Sequence, residues 1–564
     1  MTDAIPYEEP SIVSILILSS FILILNILGS VLDHVFYCGL VGQVLVGMVW
    51  GTPGAKLLSR HVEEAVTQLG YLGLIAIVFE GGLSTSAKSV RSTLFLSICV
   101  GATGIMFPIA LSFSLIGMAN ATNLQAFAAG SALCSTSLGT TLSLLKTTGL
   151  TTSRLGTVLT SAAMLDDVVG LIMVQVISNL GSGHESIQAS TILRPIFVSI
   201  GFAIVLPLAC TFLVNPILRH CSRIQGQFTS IVSESPLYFI LSTTFVVALV
   251  TAASYAGTST LFAAYIAGAV ISWLDEIGVQ NQTSRQKRPN RPTESARPSQ
   301  PVESIAVGNR NSQSRDSVTS RLPTPPPEKN EAVHDVAHGP TSTLSPKASE
   351  SRSIRMYNEY YAPAIEYILK PFFFASIGFS IPLTKMFRGA VVWRGFAYSI
   401  LMAIGKLSCG IWLVRFAQSP SPPASTPTPT PTPTAARNPK ENRKPKSPRK
   451  SLPRPKPLYP ASILGCAMVA RGEIGFIISA LATSNGIFTN QVSSNSNTGN
   501  GNEEKSTSIS SDIYLIATWA ILLCTVIGPL VLGFLAKRVK KLQSERAQSR
   551  NAGTEDPLGI WGVT

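Results

Sequence analysis

Asp166 and Asp167 stand side by side in the stretch Ser161 to Asn179, SAAMLDDVVGLIMVQVISN, which is otherwise largely apolar and long enough to cross a bilayer. One ionised carboxylate at the bilayer centre costs roughly 2.5–3.5 kcal/mol on insertion scales. Two neighbouring ones cost more, because like charges repel where little water screens them. A chain keeps such a pair where a negative, titratable site is needed inside the membrane. On a soluble helix the two acids would simply turn to water. That reading fails here, because similar apolar runs recur along the whole chain.

Of the 564 residues, 46% are hydrophobic and only 13% charged. Ordinary soluble domains carry about 25% charged residues. Much of the charge falls in a few polar blocks, and the rest reads as continuous apolar segments of the length that spans hydrocarbon. Continuous runs, as opposed to alternating ones, mean helices and not a barrel. The expected fold is therefore an all-α polytopic membrane protein.

Thirteen spans are expected: 11–32, 35–51, 65–83, 91–118, 123–146, 155–180, 190–214, 235–255, 258–275, 360–382, 389–416, 459–484 and 511–536. Loop charge orients them. With the acidic N-terminus outside or lumenal, the inner loops carry Lys88 and Arg91, Lys146 and Arg154, Arg219 and Arg223, both polar inserts and the basic tail from Lys537. The outer loops are poorer in Lys and Arg, with exceptions at Lys56, Arg60, Lys385, Arg388 and Arg394. The positive-inside rule then sets a cytoplasmic C-terminus. Met1 to Pro10 lacks the basic start of a signal peptide, so the first span is expected to stay in the mature protein.

The organisation follows. Residues 1–276 hold spans one to nine, 277–355 a polar insert, 356–417 spans ten and eleven, 418–458 a second insert, 459–537 spans twelve and thirteen, and 538–564 the tail. Neither insert has the apolar surface to order itself, and the second carries TPTPTPTPT followed by KPKSPRKSLPRPKP. Both read as disordered cytoplasmic linkers. The net charge of +14 sits largely in these loops and tails, where anionic lipid and orientation account for it without nucleic acid. The eight cysteines are scattered, with neither metal-ligand spacing nor a disulfide framework. No nucleophile–base set, cofactor motif or resident metal cluster appears, and enzyme chemistry is not expected. A membrane aspartyl protease is a poor match, since its two acids come from different helices and here both lie on one.

Other polar groups fall inside the spans. Cys134 to Thr141, CSTSLGTT, concentrates small hydroxyl residues that compete for backbone hydrogen bonds, so a helix break near Ser135 and Thr136 would offer carbonyls and hydroxyls to a cation. Lys406 lies well inside span eleven and needs a partner. Glu80 lies nearer the end of span three. Arg471 and Glu473 flank Gly472 in span twelve, where they can neutralise other groups or flank a helix break.

At these residues the chain resembles the sodium/hydrogen exchanger family. The stretches that carry the resemblance are GLVGQVLVGMVWG, IVFEGGL, CSTSLGTTLSLLKTTG, SAAMLDDVVGLI, PFFFASIGFSIPL, GKLSCG and VARGEIGFIIS, in the family's order. More narrowly it is similar to the second cation:proton antiporter branch, with the Kef- and NapA-type exchangers. It departs from the Kef type in its short tail, and from bacterial members in its long inserts, which point to a eukaryotic, fungal-like member.

The resemblance implies an inverted-repeat antiporter fold of thirteen transmembrane helices, the fifth and twelfth broken and crossing near the midplane. It implies a homodimer in lipid that exchanges protons for Na+ or K+ by alternating access. Asp167 would bind proton or cation, Asp166 would pair with Lys406, and Ser135 and Thr136 would sit at the crossing. Glu473, Arg471 and Glu80 would be accessory. The rival readings are a proton-coupled symporter or channel of the same fold, and a non-transporting membrane sensor whose loops bind partners.

Overall fold

The computed structural model describes residues 9–85, 87–137, 139–141, 145, 149–151, 153–181, 189–210, 212, 235–286, 351–415, 458–489, 512–548 and 557–562. An apolar run in hydrocarbon must satisfy its backbone hydrogen bonds internally. The described residues obey this: each of the thirteen expected spans meets helical structure. The helices are α1 (Ile12–Phe36), α2 (Gly39–Trp50), α3 (Arg60–Leu83), α4 (Ala87–Ser112), α5 (Asn123–Ala132), α6 (Arg154–Gly181), α7 (Ala189–Ala209), α8 (Ser235–Ala256), α9 (Thr260–Gln286), α10 (Lys370–Phe379), α11 (Gly389–Leu407), α12 (Leu458–Val469), α13 (Glu473–Ser484) and α14 (Asp512–Gln548). Among the described residues, nine helical segments are long and apolar enough to cross a membrane, counting the interrupted stretch Leu458–Ser484 as one. The molecule is thus an all-helical polytopic fold.

Local sequence sets the helix ends. The Ser11 hydroxyl accepts from Ser14 N–H at 3.1 Å and opens α1, and Tyr37 closes it in the left-handed region at φ 56°. Thr122 and Gln125 form a reciprocal cap at the start of α5. Ahead of α10, helix from Arg352 passes through wide turns at Tyr357–Tyr361 and Ile365–Leu369. Pro363 and Pro371 adjoin these turns and cannot donate to the regular ladder.

Helices α4, α5, α6, α11, α12, α13 and α14 pack on one another. In a second group, α2 packs on α1 and α10, and α3 packs on α10. The backbones of α3 and α9 approach closely at Gly82 and Gly268. The outer face of α1 leaves Ile12, Leu16, Leu23 and Val31 exposed, an apolar surface of the kind hydrocarbon covers.

Both ends of the insert expected at 277–355 hold helix. Helix α9 runs on to Gln286, and the next helix opens at Arg352. Residues 277–350 form a separate unit, of which only the helical stretch to 286 is described. The expectations of disorder over 287–350 and over most of 418–458 lie outside the described residues.

Candidate functional site

The fifth and twelfth spans are both interrupted, and their interruptions meet. Helix α5 stops at Ala132, Leu133 and Cys134 form a closing turn, and residues 135–137 lie outside any helix. Helix α12 stops at Val469, and α13 resumes at Glu473 behind an extended Gly472. Freed backbone groups find partners across the crossing. Ser137 N–H donates to the Ala470 carbonyl at 2.9 Å, and the Arg471 guanidinium donates through Nη1 to the Ser135 carbonyl at 2.8 Å. Broken backbone at this depth is stable only when such partners are supplied. The Thr525 hydroxyl of α14 adds a 3.2 Å bond to the Arg471 carbonyl.

Glycine is required where the chains touch. A Cβ on Gly472 would stand 2.9 Å from both Cβ and Oγ of Ser137. One on Gly170 of α6 would stand 2.9 Å from Ser135 Cβ and 3.0 Å from Ile474 Cγ2. Gly472→Ala is therefore expected to lower thermal stability by about 1–3 kcal/mol through overpacking. Gly389→Ala, where a Cβ meets no atom within 4 Å, should leave it nearly unchanged.

Helix α6 delivers the two aspartates to this crossing. Adjacent helical residues point about 100° apart, so the pair divides between two environments. Asp166 is fully buried, and its Oδ2 accepts from Lys406 Nζ at 2.5 Å and from the Thr136 hydroxyl at 2.7 Å. Lys406, also fully buried, donates in addition to Thr136 Oγ1 at 2.9 Å. One hydroxyl thus accepts from the ammonium and donates to the carboxylate, closing a three-membered network. Gly104 of α4 leaves room for the ammonium, since a Cβ there would lie 3.2 Å from Lys406 Nζ.

Asp167 is different. It retains 8% exposure, and its carboxylate has no hydrogen-bond partner among the described residues. It lies within electrostatic reach of Glu473, Asp166 and Lys406, and Tyr265 of α9 lies within reach of it in turn. The Tyr265 hydroxyl is bonded to Thr85 Oγ1 at 2.9 Å. Asp167 is therefore coupled through its charge to two elements from different parts of the fold, the first turn of α13 and the second turn of α9. Its charge is compensated incompletely: Glu473 and Asp166 oppose it, and Lys406, which offsets it, is hydrogen-bonded to Asp166.

Six of the residues expected from sequence gather here: Ser135, Thr136, Asp166, Asp167, Lys406 and Arg471. Ser135 contributes its carbonyl, not a bonded hydroxyl. Glu473 is half-buried at the first turn of α13. Glu80 is not bonded to the pair. It is exposed, and its carboxylate accepts from the Tyr357 hydroxyl at 2.9 Å. Sequence reasoning missed Ala470, Thr525 and Met468, whose carbonyl accepts from the Thr136 hydroxyl at 3.3 Å. Ala470 and Met468 act through backbone groups, whose partners no side-chain pattern announces.

The family model described as "Sodium/hydrogen exchanger, transmembrane" matches residues 15–295. The high-affinity Na(+)/H(+) antiporter NhaS3 of Synechocystis is 30% identical over 167 residues, covering 29% of this chain and 36% of that protein. The probable Na(+)/H(+) antiporter GerT of Bacillus cereus is 30% identical over 170 residues, 29% of this chain and 43% of that protein. The Na(+)/H(+)-K(+) antiporter GerN of Bacillus cereus is 27% identical over 161 residues, 28% of this chain and 40% of that protein. The matched region thus spans less than half the length of each of these relatives. The sodium proton antiporter MjNhaP1 of Methanocaldococcus jannaschii shares the fold at a TM-score of 0.51 and 11% identity, over 94% of this chain and 100% of that one.

Proposed function

We infer the working of the site from one premise: the chain belongs to the sodium/hydrogen exchanger family. It exchanges protons for a monovalent cation, Na+ or K+, across the membrane by alternating access, and it is not an enzyme. The observation that carries this reading is Asp167, an almost fully buried carboxylate without a hydrogen-bond donor among the described residues, beside the closed Asp166–Thr136–Lys406 network.

The chemistry follows from charge. Ionised Asp167 leaves the crossing with an uncompensated negative charge, and a desolvated charge left unpaired is costly. A proton or one monovalent cation removes that cost, and the two exclude each other on one carboxylate. Competition of this kind couples opposite fluxes without further machinery. Asp166 stays tied to Lys406 and holds the crossing in shape while Asp167 loads and unloads. Hydroxyls and carbonyls around Thr136 and Ser135 supply the oxygen ligands that a small alkali cation prefers. Glu473 and Arg471 set the surrounding potential.

Alternating access would move the group built from α4, α5, α6 and α11 to α14 against the group of α1, α2, α3, α8, α9 and α10, with Asp167 at their seam. The second group would form the contact of a homodimer embedded in lipid. The N-terminus lies outside or in a lumen and the C-terminus in the cytoplasm, as loop charge directs.

The test is exchange in proteoliposomes carrying a trapped pH dye. Adding Na+ or K+ outside acid-loaded vesicles should alkalinise the lumen, with a preference between the two ions. Movement of proton and cation in the same direction would instead favour the symporter. Absence of flux with intact fold would favour the sensor.

A further inference from the structure

Glu473 opens α13 directly behind the break at Gly472. Its two neighbours in the chain are both pressed into the crossing. On one side, a Cβ on Gly472 would meet Ser137 at 2.9 Å. On the other, Ile474 fills the space over Gly170 of α6, where a Cβ would stand 3.0 Å from Ile474 Cγ2. Gly170 lies about one helical turn beyond Asp167. A Cβ on Gly475 would lie 2.6 Å from the Ala132 carbonyl oxygen at the end of α5. The first turn of α13 is thus seated on both α5 and α6, and it carries Glu473 to the turn of α6 that holds Asp167. Glu473 is half-buried, and its carboxylate, like that of Asp167, has no hydrogen-bond partner among the described residues. Its charge acts on Asp167 more strongly than that of Asp166, the adjacent residue of the chain, which is bonded instead to Lys406.

We propose that Glu473 is a second carboxylate ligand of the transported cation, which holds it jointly with Asp167 and sets a preference for Na+ over K+. This role rests on the exchange reading above and gives that same site its second charged ligand. Two ionised carboxylates without donors repel each other, and a cation between them replaces that repulsion with attraction to both. Asp167, more than nine-tenths buried, cannot turn to bulk water for relief. Glu473 can remain ionised beside it, because the first residue of a twelve-residue helix sits at the positive end of the helix dipole. The Gly472 cap has no side chain that could take up that end of the helix. Charge count is what tunes affinity at oxygen-ligand cation sites. A pair of carboxylates also presents a stronger field than one carboxylate with hydroxyls and carbonyls. Na+, the smaller ion, gains more from a strong field than K+, enough to offset its larger dehydration cost.

The experiment measures exchange in proteoliposomes of the full-length protein against Na+ concentration and, separately, K+ concentration, for wild type, Glu473→Gln and Glu473→Asp. Wild type should prefer Na+. Glu473→Gln, which keeps the shape and removes the charge, should raise KM for Na+ about tenfold, since charge count shifts such sites by decades. KM for K+ should rise less, so that the preference narrows, and the loss should fall on KM more than on the maximal rate. Glu473→Asp keeps the charge but draws it back by one methylene, and should lie between wild type and Glu473→Gln. If Glu473→Gln does not fold, Glu473→Asp decides by the same two readouts. Exchange in wild type with KM and ion preference unchanged in the folded variants would overturn the second ligand and leave the proposed function standing. A lower maximal rate at unchanged KM would also overturn it, because a purely structural role acts in that way. A wild type that prefers K+ would overturn the assigned preference. No exchange by wild type with either ion would overturn the proposed function and this role with it.

Discussion

Replacing Asp167 by Asn is expected to reduce cation-driven proton movement in proteoliposomes to the rate of empty vesicles, while thermal stability stays at or above the wild-type value. The two halves of this expectation have one cause. Asp167 has no hydrogen-bond partner among the described residues, so the amide forfeits no bond in the resting structure. It also relieves repulsion from Asp166 and Glu473, which act on Asp167 through their charge. The amide still accepts a hydrogen bond, but it cannot take up a proton or present a full negative charge to a cation. Size-exclusion elution and a melting curve would show the fold intact, and the pH dye would show the loss of exchange. A variant that is inactive because it is unfolded would speak for a structural role and against this account.

Lys406→Met should behave in the opposite way, damaging stability first. Its ammonium is the charged partner of Asp166, and both side chains are fully buried. Removing one member of a buried ion pair typically costs about 3–5 kcal/mol, because the other charge is left uncompensated. The Thr136 hydroxyl also loses the donor it accepts from. The double variant Asp166→Asn with Lys406→Met removes both charges and should recover most of that loss, since neutral replacements of buried pairs are often tolerated. Melting curves of the two single variants and the double variant give the coupling directly. A double variant as unstable as Lys406→Met would show that the pair does not act as a unit. If Asp167 alone carries the ions, the recovered double variant should retain measurable exchange.

Much of this arrangement was legible in the sequence because hydrocarbon is a demanding solvent. Apolar length alone located the thirteen helical stretches, and the density of small hydroxyl residues in CSTSLGTT located the first break. Gly472 between two charged residues marked a second candidate break. The charges alone say that Lys406 needs a partner, and the resemblance to the exchanger family supplied Asp166 as that partner. What the sequence did not announce depends on contacts between residues hundreds of positions apart. The bond from Arg471 to the Ser135 carbonyl and that from Ser137 N–H to Ala470 are of this kind. Glu80 shows the converse. An acid near a span end reads much like one at the crossing, yet Tyr357, contributed from beyond the long insert, satisfies its carboxylate. The burial of Trp561 was equally silent, since a tryptophan in a polar tail carries no mark of the groove that receives it.

The account stands on proton and cation occupying one carboxylate in turn. The most direct measurement is cation binding to the purified protein as a function of pH, by calorimetry in detergent with Asp167→Asn as the blank. Affinity should weaken as pH falls, approaching tenfold per pH unit once Asp167 is mostly protonated, with release of a proton on each binding event and no heat in the variant. Binding that is independent of pH, or that survives unchanged in Asp167→Asn, would contradict it.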